Sequence, residues 1–103
     1  MTIFDKVASA LANDRDVEAT YRNLSPGDRS ILALMLENDA ASGVTVAGSP
    51  NAKFWECIGK HGWMVEDHDL DFPQMPMLKY TVTDEGFRAI PVVMGILDQD
   101  AHA

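Results

Sequence analysis

A chain of 103 residues, 47% apolar and 23% charged and free of low-complexity tracts, suits one folded domain with a core of modest size. Its formal net charge of −8 sets 16 acids against 8 bases, a balance that repels phosphate at long range and favours basic or neutral partners. The longest apolar run, ILALML over residues 31–36, is far short of the roughly 20 residues that span a bilayer, so no membrane insertion is expected.

Ile3, Phe4, Val7, Ala8 and Leu11 fall at helical spacing and predict an amphipathic helix over residues 2–12. With Asp5 and no basic region ahead of an apolar block, this stretch is not expected to act as a secretory signal. Asn13 and Asp14 offer a new cap, and Val17, Tyr21 and Leu24 predict a short helix over 16–24. Ser25 as N-cap, Pro26 at the first helical position and Asp28 near the positive end of the dipole start a third helix, expected from 26 to about 38. Ile31, Leu32, Leu34, Met35 and Leu36 make it apolar on most of its circumference, which marks it as the expected central core element.

Val44, Thr45 and Val46 predict a short strand between turn-forming residues. A further helix is expected from Ser49-Pro50 to about His61, with Phe54, Ile58 and either Cys57 or His61 on one face and Gly62 ending it. Residues 63–65 and 78–82 read as two strands, joined by a loop containing Pro73 and Pro76 that is long for a hairpin turn. Thr83 is positioned to cap a last helix in which Phe87, Ile90, Met94 and Leu97 are in register. Pro91 is expected to kink or divide that helix, and residues 99–103 to fray. The fold class expected is α+β, a mostly helical domain over residues 1–98 with a small antiparallel β-hairpin and added helices at both ends.

Two stretches carry a resemblance. FWECIGKHGWMVED is similar to a recognition helix that runs through a glycine into the first strand of a wing, and LKYTVTDEGFRAI to the second wing strand turning into a helix with a Thr-x-x-Gly opening. Together they make residues 25–90 resemble the winged-helix superfamily of bacterial regulators, which implies a wing hairpin and, in the family at large, DNA binding. One part of the pattern is missing. A helix-turn-helix needs two helices before the wing, and between Leu36 and Phe54 there is no room for the first of them.

The charges depart from the family as well. Residues 1–62 carry six bases against eight acids, and residues 63–103 only two bases against eight acids. The expected wing holds Glu66, Asp67, Asp69 and Asp71 with no base before Lys79, whereas DNA affinity comes largely from Lys and Arg on phosphates. Asn51, Lys53 and Lys60 on the preceding helix are the candidate nucleic-acid contacts, offset in part by Glu56. The segment instead places Asp69 and Asp71 beside Phe72, Met75 and Met77, with prolines that lower the cost of ordering a loop. Two readings of it stand: a surface for a protein partner, with a basic one favoured by the charge, or a solvated acidic turn whose Phe72 and Met77 tuck into their own core. The function expected is a non-enzymatic interaction or regulatory module. A DNA-binding regulator, with Lys53 and Lys60 of two chains brought together by a dimer, is the alternative, and an acidic inhibitor or DNA mimic is the third possibility.

Other chemistry is sparse. Asp67, Asp69 and Asp71 open like a calcium loop, but Phe72 occupies the required glycine position and Leu78 the bidentate glutamate, so no metal is expected. Cys57 and His61 are four apart and share a helix face, but no third group to orient His61 is identifiable and a buried structural pair is the expectation. No phosphate-cradling loop, G-x-S-x-G or H-E-x-x-H occurs, so neither enzyme activity nor a cofactor is expected. A lone cysteine allows no internal disulfide, in keeping with a reducing cytoplasm. Finally, Phe4, Val7 and Leu11 near one end and Val93, Met94 and Leu97 near the other form apolar stripes that a homodimer would bury. The competing arrangement packs helix 2–12 against helix 91–98 within one chain.

Overall fold

The computed structural model describes residues 2–37, 42–67 and 77–101. It is an α+β fold whose elements run α1 (Ile3–Ala12), α2 (Arg15–Arg22), α3 (Pro26–Glu37), β1 (Ser42–Val46), α4 (Pro50–Gly59), β2 (Met64–Asp67), β3 (Met77–Val82) and α5 (Asp84–Ala101). The strands form one antiparallel sheet in the order β1-β3-β2. No helix among the described residues is long and apolar enough to cross a membrane.

Local chemistry places the helix starts. The Thr2 hydroxyl accepts from the Asp5 N–H at 3.2 Å while the Asp5 carboxylate accepts from the Thr2 N–H at 3.3 Å, a reciprocal cap for α1. Asp14 caps α2 by accepting from the Asp16 N–H, and Ser25 accepts from the Asp28 N–H at the head of α3. Ser49 does the same for Ala52, with Pro50 in the first turn of α4. Three residues past α4, Gly62 has φ of 81°, a left-handed conformation that turns the chain into β2 at little steric cost.

The centre of the molecule is α4, not α3. Ala52, Phe54, Trp55, Cys57 and Ile58 are all buried, because α4 is packed by α2 on one side and by the inner face of β1 and β2 on the other. The Tyr21 ring meets Phe54 at 5.4 Å, and Tyr80 of β3 meets Trp55 edge-on at 5.5 Å. In α3 only Leu32 is buried, while Ile31 and Leu34 are about half exposed at 53% and 55%. An all-round apolar helix is a statement about its own circumference, and here the neighbours that would cover α3 are spent on α4.

α5 runs unbroken through Pro91 and stays helical to Ala101, past the point where fraying was expected. Pro91 costs the helix about 3 kcal/mol through a lost hydrogen bond and ring crowding. Ile90 and Val93 on either side of it are fully buried, worth about 1.5–3 kcal/mol each, and that burial outweighs the proline. The two helices at the ends of the chain meet: α1 packs along α5, with Val7 and Val93 completely enclosed.

Strand β3 is joined to α5 through one tight junction. The Thr83 hydroxyl donates to the Gly62 carbonyl at 2.7 Å and accepts from the Gly86 N–H at 3.0 Å, while the Thr83 N–H donates to the Trp63 carbonyl at 3.2 Å. A Cβ at position 86 would stand 2.0 Å from the Trp63 carbonyl oxygen. The Thr-x-x-Gly opening is thus a packing requirement. Gly86→Ala is expected to lower stability by about 2 kcal/mol or more, since the clash is with backbone. Gly95→Ala, in the same helix with nothing within 4 Å, is expected to raise it by about 0.5–1 kcal/mol. Urea unfolding of the two variants measures both.

Candidate interaction surface

The alternation of a strand sorts the sheet into two faces. Gly43 and Thr45, Leu78, Tyr80 and Val82, and Met64 and Glu66 lie on the side that meets α4, where Thr45, Tyr80, Val82 and Met64 are buried. Burial, and after it the carboxylates of Glu66 and Glu56, raise the Tyr80 phenol above its ordinary value, so it stays neutral. The opposite side carries Ser42, Val44 and Val46 of β1, Met77, Lys79 and Thr81 of β3, and Val65 of β2, with Val46 paired to Met77 and Val65 to Thr81. Val44, Val46 and Val65 remain 45%, 48% and 55% exposed there, and Met77, Lys79 and Thr81 are half-buried. Exposed β-branched side chains on one face of a sheet, on its two edge strands, offer a surface suited to contact.

Of the residues singled out for a protein partner, Met77 belongs to this face. Asp69, Asp71, Phe72 and Met75 lie outside the described residues. Val44, Val46 and Val65 escaped the sequence reading: alternation puts Val44 and Val46 on one face of SGVTV, and the apolar pattern alone would turn that face inward, whereas the core side is taken by Thr45 and by Gly43, on which Met35 and Trp55 close.

The stripes assigned to a dimer are used within the chain. Val7, Val93 and Leu97 are 0%, 0% and 6% exposed, Leu11 and Met94 are partly buried against the same core, and only Phe4, at 55%, is open to a partner. Two amphipathic helices at opposite ends of the chain satisfy each other when α5 extends back along α1. This is the competing arrangement of helix 2–12 against helix 91–98 within one chain, and it encloses Val7, Val93 and Leu97.

The candidate nucleic-acid contacts are divided. Asn51 donates from Nδ2 to Asp28 Oδ1 at 3.3 Å, so its amide is engaged inside the protein. Lys53 and Lys60 are exposed on the outer side of α4 with the exposed Glu56 between them.

His61 does have an orienting carboxylate. Its Nε2 lies 2.8 Å from Asp14 Oδ2, and its ring stacks on Trp63 at 4.7 Å. Sequence distance hid Asp14, which is 47 positions away. Cys57 is buried, and no hydrogen bond joins it to His61 among the described residues, so the pair lacks the contact a nucleophile and its base require. No group of three metal-ligating side chains occurs among the described residues. Nearby, the Tyr21 hydroxyl donates to Asp98 Oδ1 at 2.6 Å and Arg29 lies over the Tyr21 ring at 4.5 Å, tying α2 to α3 and α5. Burial and the Asp98 carboxylate raise the Tyr21 phenol far above its ordinary value.

Comparison of this chain with protein-family models, with curated proteins and with solved structures finds no match.

Burial pushes the Asp14 carboxyl up, but the hydrogen bonds from His61 and the Asp16 N–H, with the charge of His61, outweigh it and hold the group below its ordinary value. A carboxylate with a depressed folded value stabilises the protein above the unfolded value, about 3.9, and that contribution is lost as the pH falls through the folded one. Asp14→Asn keeps a capping side chain but loses the charge. It is expected to be less stable than the native chain by about 1 kcal/mol near neutral pH, with the difference vanishing well below pH of about 4, as read by denaturant unfolding across pH.

Proposed function

We propose that this protein is a non-enzymatic, acidic protein-interaction module built on a winged-helix-like scaffold. The single observation that carries the reading is the outer face of the sheet, where Val44, Val46 and Val65 stand about half exposed beside Met77. The scaffold is supported by the order α3, β1, α4, β2, β3, α5 and by the central position of β3 in the sheet. α2 packs on α4 and stands in for the supporting helix that a helix-turn-helix places before its reader.

The charge of the chain selects the partner. Residues 63–103, which include β2 and β3, hold eight of the 16 acids and two bases, so a partner that brings apolar side chains to the valines and a net positive charge is the one this acidic chain fits. A reducing cytoplasm suits the lone Cys57 thiol of such a protein. The DNA-binding alternative is less favoured, since Glu56 separates the two exposed lysines of α4 and Asn51 is already bonded.

Anisotropy titrations with two labelled probes test the reading. A basic amphipathic peptide is expected to saturate the protein, to bind more weakly as salt rises, and to lose about tenfold in affinity on Val65→Ser. A short DNA duplex is expected to show no saturable binding near physiological salt. Tight duplex binding that collapses with salt would sustain the DNA-binding alternative and overturn the proposal.

A further inference from the structure

Six large apolar side chains remain about half exposed among the described residues, and four of them belong to α3 and β1. Ile31 and Leu34 of α3 and Val44 and Val46 of β1 are 53%, 55%, 45% and 48% exposed, whereas Phe4 and Val65 lie apart on α1 and β2. α3 lies on the inner side of β1, because Met35 packs so closely on Gly43 that a Cβ there would be 2.8 Å from its sulfur. Ile31 is one turn before Met35 and Leu34 is beside it, so the four exposed side chains flank one edge of the sheet on its two sides. Along that edge β1 pairs with no other described strand.

We infer that a second copy of this chain occupies this edge, β1 pairing antiparallel with β1 about a two-fold axis at Val44 to give one continuous six-stranded sheet. Such pairing sets Val44 against Val44 and Val46 against Ser42 of the other copy on the outer face. The axis is perpendicular to the sheet, so both α3 helices fall on the inner side, and Ile31 and Leu34 of the two copies meet there.

Charge decides which edge pairs and with what. Neither β1 nor residues 31–36 contain a charged side chain, and β1 lacks the lysine, proline or bulge that commonly protects an edge. The opposite edge, β2 (MVED), holds two acids in four residues, and pairing it with itself would bring like charges of two acidic chains together. Of the two edges of the described sheet, β1 is the one that carries no charged residue, so a chain of net charge −8 presents it to its own copy without like charges in the strand. The remaining repulsion acts at a distance, with Glu37 and Asp39 the closest acids in sequence, and salt screens it. This inference does not rest on the basic partner proposed above, whose binding weakens with salt, whereas self-association here strengthens.

Sedimentation equilibrium of the full chain tests it, with melting followed by circular dichroism to show that each variant folds. A dimer is expected, with its dissociation constant falling severalfold between about 0.1 M and about 1 M salt, where the screening length shortens from about 10 Å to about 3 Å. Val44→Lys, which sets two lysines face to face, is expected to raise that constant about tenfold or more, and Leu34→Lys to weaken the dimer as well. Val65→Lys, on the other edge strand, is expected to leave it unchanged. A monomer mass at every salt concentration, or a dimer that survives Val44→Lys and is lost on Val65→Lys, would overturn the inference.

Discussion

The grip of Thr83 and Gly86 on the turn after α4 is the constraint from which the arrangement of the sheet and of α5 follows. Two carbonyls, of Gly62 and Trp63, receive the hydroxyl and the N–H of Thr83, and the missing side chain of Gly86 lets the first turn of α5 come within contact of the Trp63 backbone. Because both α4, through Gly62, and β3, through Thr83, run into this junction, α5 starts at a set point against the core. From there its stripe of Ala89, Ile90, Val93 and Leu97 runs back along α1, and the two ends of the chain close over the centre. A polar junction is stable here since each buried backbone group in it has a partner.

That closure decides which surfaces remain. Once α1 and α5 have satisfied each other and α4 has taken α2 and the inner face of the sheet, few elements are left to cover α3 and none of the described ones lies over the outer side of the strands. The exposed apolar residues are consequently not scattered but gathered at α3 and β1, with Val65 and Phe4 elsewhere. In a domain of about 100 residues the interior cannot absorb every apolar side chain, and where the surplus falls is set by the order of packing rather than by the residues themselves.

Electrostatics then separates the possible uses of those surfaces. The last forty or so positions hold half of the 16 acids and only two of the eight bases, while β1 and the middle of α3 are free of charge. The two edges of the described sheet therefore differ in charge, β2 holding two acids and β1 none. His61 and Asp14, the pair that looks most like chemistry, instead tie the end of α4 to the start of α2, with Trp63 stacked against the imidazole.

The sequence by itself determined the helix starts and the glycine junctions, for these depend on groups within three or four positions of each other: Ser25 with Asp28, Ser49 with Ala52, Thr83 with Gly86. It also made the α+β class and the valine alternation of β1 legible, since periodicity is local. Only the tertiary structure decided that α4 rather than α3 is central, that Pro91 does not divide α5, and that Val7 and Val93 are enclosed within one chain where α1 packs along α5. Each of those outcomes is a competition between surfaces far apart in the sequence for the same neighbours. A hydrophobic stripe states that it must be covered but not by what, and the identity of its cover is known only when every other stripe has been placed.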